Sequence, residues 1–215
     1  MTRFIFLTLC LFLPVLTSGS TLVCLGDSIT AGYGLSESEA YPALLLAELP
    51  GWSIVNAGVS GDTTAGGLKR LEWILKSKPD AIFVALGGND GLRGVKATET
   101  EKNLDMILGK IKASGARALL AGMMVPTNYG QDYFFEVKAL YGTVAKRGAV
   151  PLLPFLLQGV GGKPELNQAD GIHPSAEGQK ILAKNIGKFL RKNLPSATAS
   201  KPRVKPKVIR SRSDL

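Results

Sequence analysis

Four short segments of this 215-residue chain contain side chains that could together transfer an acyl group to a serine. In chain order they supply Ser28, Gly61, Asn89 and the pair Asp170 and His173. A serine hydroxyl is a weak nucleophile, so it needs a base, a group that orients the base, and donors for the oxyanion that develops. Each of these roles has a candidate in the four segments.

The candidate base is His173, because it is the only histidine in the chain. Asp170 lies three residues earlier across a glycine turn and can reach back to fix the tautomer of the imidazole. Each residue also has an ordinary structural interpretation, as a loop histidine near a helix start and as an aspartate in a turn or helix cap. The pair indicates catalysis only in combination with the other segments.

Gly61 and Asn89 are the candidate oxyanion donors. A glycine lets its backbone N–H approach a substrate closely, and an asparagine amide donates hydrogen bonds without carrying a charge at any pH. A turn glycine and an Asx turn at a strand end are the alternatives for these two residues. Their joint occurrence with Ser28 favours the catalytic interpretation.

Apolar strands that alternate with amphipathic helices must position these residues. The pattern predicts strands over residues 21–25, 53–57, 81–86, 118–125 and 150–157. Such alternation predicts an α/β fold, a three-layer α/β/α sandwich with a five-stranded parallel sheet of flavodoxin-like topology. Because parallel strands end at one edge, Ser28, Gly61 and Asn89 are expected to meet there.

The formal net charge of +9 is concentrated at the C-terminus, where residues 196–215 contain six Lys or Arg and one Asp. The rest of the chain has no basic stripe interleaved with aromatic residues, so we expect no nucleic-acid partner. The tail, residues 195–215, is predicted to be disordered and could make weak contact with an anionic surface.

Two cysteines and one histidine cannot form a usual zinc site, so no metal or other cofactor is expected.

The N-terminus has the pattern of a secretory signal peptide over residues 1–19, with Arg3, an apolar run over 4–16 and small residues at 17–19. An uncleaved anchor is the alternative. Cleavage would remove Cys10 and leave Cys24, so the mature protein would contain no internal disulfide. We therefore expect one catalytic domain over residues 20–194 in an exported protein, periplasmic or secreted.

The sequence resembles the SGNH (GDSL-like) hydrolases through four motifs in the order of that family. The motifs are GDS at 26–28, NAGVSGDTT at 56–64, LGGNDGLRG at 86–94 and DGIHP at 170–174. The resemblance covers residues 21–190 and is closest to the bacterial exported branch that combines arylesterase, thioesterase and lysophospholipase activities. Ile29 stands where the family name has leucine, and this change of one aliphatic residue affects no catalytic group.

The resemblance implies a role for each candidate residue. Ser28 would be the nucleophile, His173 the base and then the acid, and Asp170 the group that orients His173. The N–H groups of Ser28 and Gly61 and the side chain of Asn89 would form the oxyanion hole. The implied reaction is hydrolysis of carboxylic esters, thioesters or lysophospholipids through an acyl-enzyme on Ser28, in a protein we expect to be a monomer.

Two alternatives share this fold. A carbohydrate O-acetyl esterase would use the same catalytic residues, and a flavodoxin-like module would bind FMN through Ser28 and Thr30, although Asp27 would repel its phosphate. The absence of a G-x-S-x-G motif argues against the α/β-hydrolase fold. Seven apolar residues could line an acyl pocket or belong to the core: Tyr33, Leu92, Met123, Met124, Tyr129, Phe134 and Leu156.

Overall fold

A five-stranded parallel sheet forms the centre of the computed structural model, which describes residues 19–125 and 127–197. Its strands are β1 (Ser20–Gly26), β2 (Trp52–Gly58), β3 (Ala81–Ala85), β4 (Arg117–Ala121) and β5 (Leu152–Leu153). They lie in the order β2-β1-β3-β4-β5, and every neighbouring pair is parallel. This is the flavodoxin-like order, so the predicted fold class is confirmed.

Helices cover both faces of the sheet. They are α1 (Ser28–Ala31), α2 (Tyr41–Glu48), α3 (Thr64–Lys76), α4 (Gly88–Leu92), α5 (Ala97–Ala113), α6 (Gln131–Gly148) and α7 (Ala176–Asn193). Short 3₁₀ turns lie at Glu37–Glu39, Thr127–Tyr129 and Pro164–Leu166. Helix α2 packs against α7, and α5 packs against both α3 and α6. The two helix groups and the sheet make the three layers expected of alternating strands and helices.

The core follows from the periodicity of the sequence. All five residues of β3 are fully buried, as expected for a central strand covered on both faces. On α5, Leu104, Ile107, Leu108 and Ile111 are buried at the spacing of one helix face. These apolar contacts hold the strand ends, and therefore the loops that follow them, in fixed positions.

The predicted strands 118–125 and 150–157 were too long. β4 ends at Ala121, and β5 contains only Leu152 and Leu153. Pro151 and Pro154 flank β5, and proline has no N–H to donate to a strand ladder. Beyond β5, Leu156 N–H donates to the carbonyl of Gly122 at 2.9 Å, so the two segments stay close without forming regular strands.

Residues 1–18 and 198–215 lie outside the described part of the chain. Nearly all of the predicted signal peptide (residues 1–19) and of the predicted basic tail (residues 195–215) falls there, and both stay predictions. Within residues 19–125 and 127–197, no helix combines the length and apolar character needed to cross a bilayer.

Candidate active site

The strand register brings three of the four predicted segments side by side. Gly26, the last residue of β1, pairs with Gly58 of β2 on one side and with Ala85 of β3 on the other. The loops after β2, β1 and β3 therefore leave the sheet at the same level. This places the Ser28 segment between the Gly61 and Asn89 segments, as the parallel topology predicts.

Ser28, His173 and Asp170 form a continuous chain of hydrogen bonds. The Ser28 Oγ atom lies 2.8 Å from His173 Nε2, and His173 Nδ1 lies 2.7 Å from Asp170 Oδ2. Ser28 and His173 are 145 positions apart in the sequence, yet the fold places the imidazole between a hydroxyl and a carboxylate. This arrangement can take a proton from the hydroxyl while the carboxylate orients the ring and stabilises the imidazolium.

Asp170 is held as a carboxylate by its own loop. Its Oδ1 atom accepts hydrogen bonds from the N–H groups of Ile172 and His173, each at 2.9 Å. These bonds and the one from the His173 ring lower the pKa of Asp170 to about 2. Asp170 therefore stays ionised across the whole pH range in which an imidazole can act as a base.

Ser28 is the first residue of the short helix α1 and is almost completely buried. The preceding Asp27 caps this helix, because its Oδ1 atom accepts the Ile29 N–H at 3.0 Å. A side chain at Gly26 would overlap with Thr30, so the chain can turn from β1 into α1 at this point only without a Cβ. The turn directs the Ser28 hydroxyl toward His173.

The structure also brings the two predicted oxyanion donors to this edge. Gly61 has a φ of +77°, a backbone conformation that glycine adopts without strain. Its N–H donates to no residue in the described part of the chain. The Asn89 Nδ2 atom donates to the carbonyl of Asp62 at 3.0 Å, which leaves its second hydrogen available to a substrate.

Tyr33 covers one face of the His173 ring, with ring centroids 4.5 Å apart. Gln168 Nε2 donates to the carbonyl of Tyr33 at 2.7 Å and to that of Pro174 at 3.1 Å, so it connects the Tyr33 loop to the His173 loop.

Of the seven apolar candidates for an acyl pocket, Met123 and Leu156 belong to the core. Tyr33 and Tyr129 are exposed.

Several polar residues that the sequence did not single out hold the loops of the site. Asp90 is buried in α4, and its carboxylate accepts hydrogen bonds from the N–H and the hydroxyl of Thr64, the first residue of α3. Arg93 donates to the Gly61 carbonyl at 2.9 Å. Arg70 binds Asp62. The Asp90–Thr64 and Arg93–Gly61 pairs are 26 and 32 positions apart in sequence, and nothing in a local pattern indicates them.

Cys24 and a metal ion are the other candidates for a catalytic role within the described residues. Cys24 is buried in β1, and burial raises the pKa of its thiol to about 12, so it stays protonated. Within the described part of the chain, no three His, Cys, Asp or Glu side chains are grouped to hold a metal ion. Ser28 is the side chain that the site can activate.

Asp27 is expected to reduce the stability of the protein at neutral pH. Burial raises its pKa from 3.8 to about 6, although the Ile29 N–H and the charge on His173 act in the opposite direction. The folded protein therefore binds the Asp27 proton more tightly than the unfolded chain. The free energy of unfolding falls as the pH rises from about 4 to 6, by about 3 kcal/mol in total.

Asp27→Asn removes this ionisation and keeps an oxygen that can accept the Ile29 N–H. We expect the variant to be more stable than the wild type at pH 8, by up to about 3 kcal/mol, with most of this difference gone at pH 4. Urea unfolding at both pH values measures it. Asp80→Asn is the control, because Asp80 also accepts a backbone N–H, from Thr21 at 2.7 Å, but is less buried. An equal difference at both pH values would contradict the prediction.

The chain is similar to known proteins over most of its length. Residues 24–181 match the model of the GDSL-like lipase/acylhydrolase family. Esterase TesA of Pseudomonas aeruginosa is 42% identical over 197 residues, covering 88% of this chain and 98% of that protein. Thioesterase 1/protease 1/lysophospholipase L1 of Escherichia coli K12 is 45% identical over 190 residues, covering 84% and 90%.

The comparison with solved structures gives the same result. The crystal structure of TesA superposes with a TM-score of 0.78 at 43% sequence identity, covering 81% of this chain and all of that one. The family match includes Ser28, Gly61 and Asn89, and the relatives align over nearly their whole length. This chain belongs to the GDSL-like lipase/acylhydrolase family.

Proposed function

We propose that this protein is a serine esterase that hydrolyses carboxylic esters and thioesters through an acyl-enzyme on Ser28. The observation that carries the proposal is the hydrogen-bonded chain from Ser28 Oγ through His173 to Asp170, with links of 2.8 Å and 2.7 Å. One imidazole therefore contacts the hydroxyl through Nε2 and the carboxylate through Nδ1, as a general base on a serine requires. The relatives named esterase and thioesterase support the same reaction class.

The reaction runs in two steps. Ser28 Oγ attacks the carbonyl carbon and His173 Nε2 takes its proton; the bond to the leaving alcohol or thiol then breaks, and that group leaves with the proton. A water molecule next attacks the acyl-enzyme and gives a proton to Nε2. The intermediate releases the carboxylic acid, and Ser28 Oγ recovers the proton.

The oxyanion formed in each step has three candidate donors. Ser28 N–H stands at the first position of α1, where a helix N–H has no acceptor within the helix. Gly61 N–H and the second hydrogen of the Asn89 amide complete the set. One such side-chain donor contributes about 2.7–4 kcal/mol to transition-state stabilisation.

The substrates we propose carry an apolar acyl or aryl group. Tyr33, Val59 and Ile172 lie in loops that follow the strand ends or adjoin His173, and they are 53%, 46% and 46% exposed. Exposed apolar side chains next to a reactive site are suited to hold apolar parts of a ligand. A lysophospholipid, a long-chain thioester and an aryl ester all offer such a part.

A panel of esters tests this proposal and separates it from the carbohydrate O-acetyl esterase. It contains p-nitrophenyl esters of increasing chain length, a fatty acyl thioester, a lysophospholipid and an acetylated sugar. We expect kcat/KM to rise with acyl length and to be lowest for the sugar acetate. Highest activity on the acetylated sugar, with none on the thioester, would contradict the proposed substrate class.

We also propose that the protein is exported and cleaved after residues 1–19. The supporting observation is the composition of that segment, with Arg3 ahead of an apolar run and small residues at its end. N-terminal sequencing of protein expressed from the full-length gene in a bacterium tests whether residues 1–19 are removed. A mature chain that still begins at Met1 and sediments with the membrane would support the uncleaved anchor instead.

A further inference from the structure

We propose that the ion pair between Arg70 and Asp62 is a positioning device for the oxyanion hole: it fixes the Asp62 carbonyl to which the Asn89 amide donates. The inference rests on the proposed function, in which Asn89 binds the oxyanion. Neither Arg70 nor Asp62 belongs to the hydrogen-bonded chain of Ser28, His173 and Asp170. Their role would be to set the distance between the nucleophile and the oxyanion donor.

Arg70 joins two of the three loops of the site. Its Nε atom donates to Asp62 Oδ2 at 2.7 Å, and its Nη2 atom donates to the carbonyl of Gly26 at 3.0 Å. Gly26 ends β1, two residues before Ser28, and Asp62 directly follows Gly61. One guanidinium therefore fixes the loop after β2 against the strand end that presents the nucleophile.

Asp62 continues this connection to the third loop. Its carbonyl accepts the hydrogen bond from Asn89 Nδ2 at 3.0 Å, so one residue binds Arg70 through its side chain and Asn89 through its backbone. The Asn89 amide group is planar. Once one of its hydrogens is bonded to the Asp62 carbonyl, the direction of the other hydrogen is therefore determined. A shift of the Asp62 backbone would therefore turn the oxyanion donor away from the carbonyl that reacts.

The pair is enclosed enough to hold its geometry. The Arg70 and Asp62 side chains are 24% and 10% exposed, so solvent screens this pair less than an ordinary surface ion pair. Gly66 of α3 also leaves room for the Asp62 carboxylate, since a Cβ at this position would overlap with Asp62 Oδ1. The glycine near the start of α3 thus permits the carboxylate to reach Arg70.

A lysine could not replace Arg70 in this arrangement. The guanidinium presents its Nε and Nη2 hydrogens in a fixed planar fork, and the two acceptors belong to different loops. An ammonium group is a point donor on a flexible stem, which would bind Asp62 without holding Gly26 at a set distance. The geometry of the fork, rather than the charge alone, carries the positioning.

The test compares Arg70→Met and Arg70→Lys with the wild type on a short p-nitrophenyl ester. We expect Arg70→Met to lower kcat about 10- to 100-fold while KM changes less than about 3-fold, because the donor is lost in the transition state and not in ground-state binding. Arg70→Lys should lie between Arg70→Met and the wild type. Inhibition by a trifluoromethyl ketone should weaken in parallel with kcat/KM.

Arg147→Met is the matched control. Arg147 of α6 pairs with Glu101 and Asp105 of α5, so its variant also removes an arginine that bridges two elements, away from the active site. We expect it to leave kcat unchanged, although both variants lower the melting temperature. Equal kcat in Arg70→Met and Arg147→Met, each assayed where circular dichroism shows a folded protein, would overturn the inference.

Coupling to Asn89 gives the decisive measurement. In an Asn89→Ala background the donor that Arg70 positions is absent, so Arg70→Met should lower kcat by less than about 3-fold. The same loss in both backgrounds would show that Arg70 acts in another way and would contradict the proposal. Gly66→Ala provides a second route if Arg70→Met does not fold, because it displaces the Asp62 carboxylate without removing a charge.

Failure of this inference is distinguishable from failure of the proposed function. If the wild type does not hydrolyse the ester, or if Asn89→Ala leaves kcat unchanged, the proposed function or its oxyanion hole is wrong. If the wild type is active, Asn89→Ala is impaired and Arg70→Met is not, only the positioning role of Arg70 and Asp62 is wrong.

Discussion

Ser28→Ala is expected to lower kcat for ester hydrolysis by about a million-fold, because it removes the hydroxyl that His173 Nε2 contacts and that is proposed to form the acyl-enzyme. The Ser28 side chain contacts the rest of the protein through one hydrogen bond, to His173 Nε2. Helix α1 keeps its cap, since Asp27 accepts the Ile29 N–H whatever side chain follows it. The variant should therefore fold normally and bind substrate without turning it over.

Initial rates on a p-nitrophenyl ester, with a thermal melt of the same preparation, measure this effect. Mass spectrometry after treatment with a fluorophosphonate should show one adduct on the wild type and none on Ser28→Ala. Ser114→Ala is the control: Ser114 follows α5, and its hydroxyl donates to the Ile111 carbonyl at 2.7 Å. Substantial hydrolysis by folded Ser28→Ala would remove the assignment of the nucleophile.

Asp170→Asn is expected to lower kcat by about 10³- to 10⁴-fold, the second largest effect at this site. The carboxylate accepts the hydrogen of His173 Nδ1, which leaves Nε2 free to take the Ser28 proton. An asparagine amide can donate to Nδ1 instead, and the ring then carries its hydrogen on Nε2, facing the serine. The imidazole would be present but in the wrong tautomer.

The pH profile separates this effect from a loss of folding. Because the wild-type Asp170 has a pKa of about 2, it contributes no change in rate above pH 4, and the ratio of the wild-type and variant rates should stay constant from there upward. Asp132→Asn, at an exposed position in the first turn of α6, is the control and should retain full activity. A variant that recovers wild-type activity at any pH between 5 and 9 would contradict the orienting role of Asp170.

These two effects share a structural origin. Ser28 lies on a helix after β1, whereas Asp170 and His173 lie in the loop before α7. That loop is closed on itself by the hydrogen bond from Gln168 N–H to the His173 carbonyl, at 2.7 Å, and is joined to the Tyr33 loop through the Gln168 side chain. The catalytic geometry thus depends on the internal hydrogen bond of the loop before α7 and on its connection to the Tyr33 loop.

Much of this site follows from sequence because its parts obey local rules. An apolar run that ends in Gly-Asp-Ser indicates a buried strand followed by a loop, and parallel strands must end at one edge. The single histidine left one candidate for the base, and the spacing of Asp170 and His173 allows only a short turn between them. The five strands, their order and the residues brought together at the sheet edge agree with the structure.

The length of β5 did not follow from sequence. The apolar run of residues 150–157 has the composition of a strand, but the two prolines remove N–H donors, and pairing with β4 survives at only two positions. Likewise, Met123 and Leu156 suit an acyl pocket by composition and belong to the core in the structure. Apolar side chains look the same in sequence whether they face a ligand or other side chains.

The sequence by itself therefore determined the fold class, the edge of the sheet where the candidate residues meet and the residue types available there, because hydrophobic periodicity is a local property and the alternation of strands with helices implies a parallel sheet. Only the tertiary structure decided the pairs that hold the site: Arg70 with Asp62 and Gly26, Asp90 with Thr64, and Gln168 with the Tyr33 carbonyl. Those contacts join residues up to 135 positions apart, and their existence depends on distances that form when the strands pack.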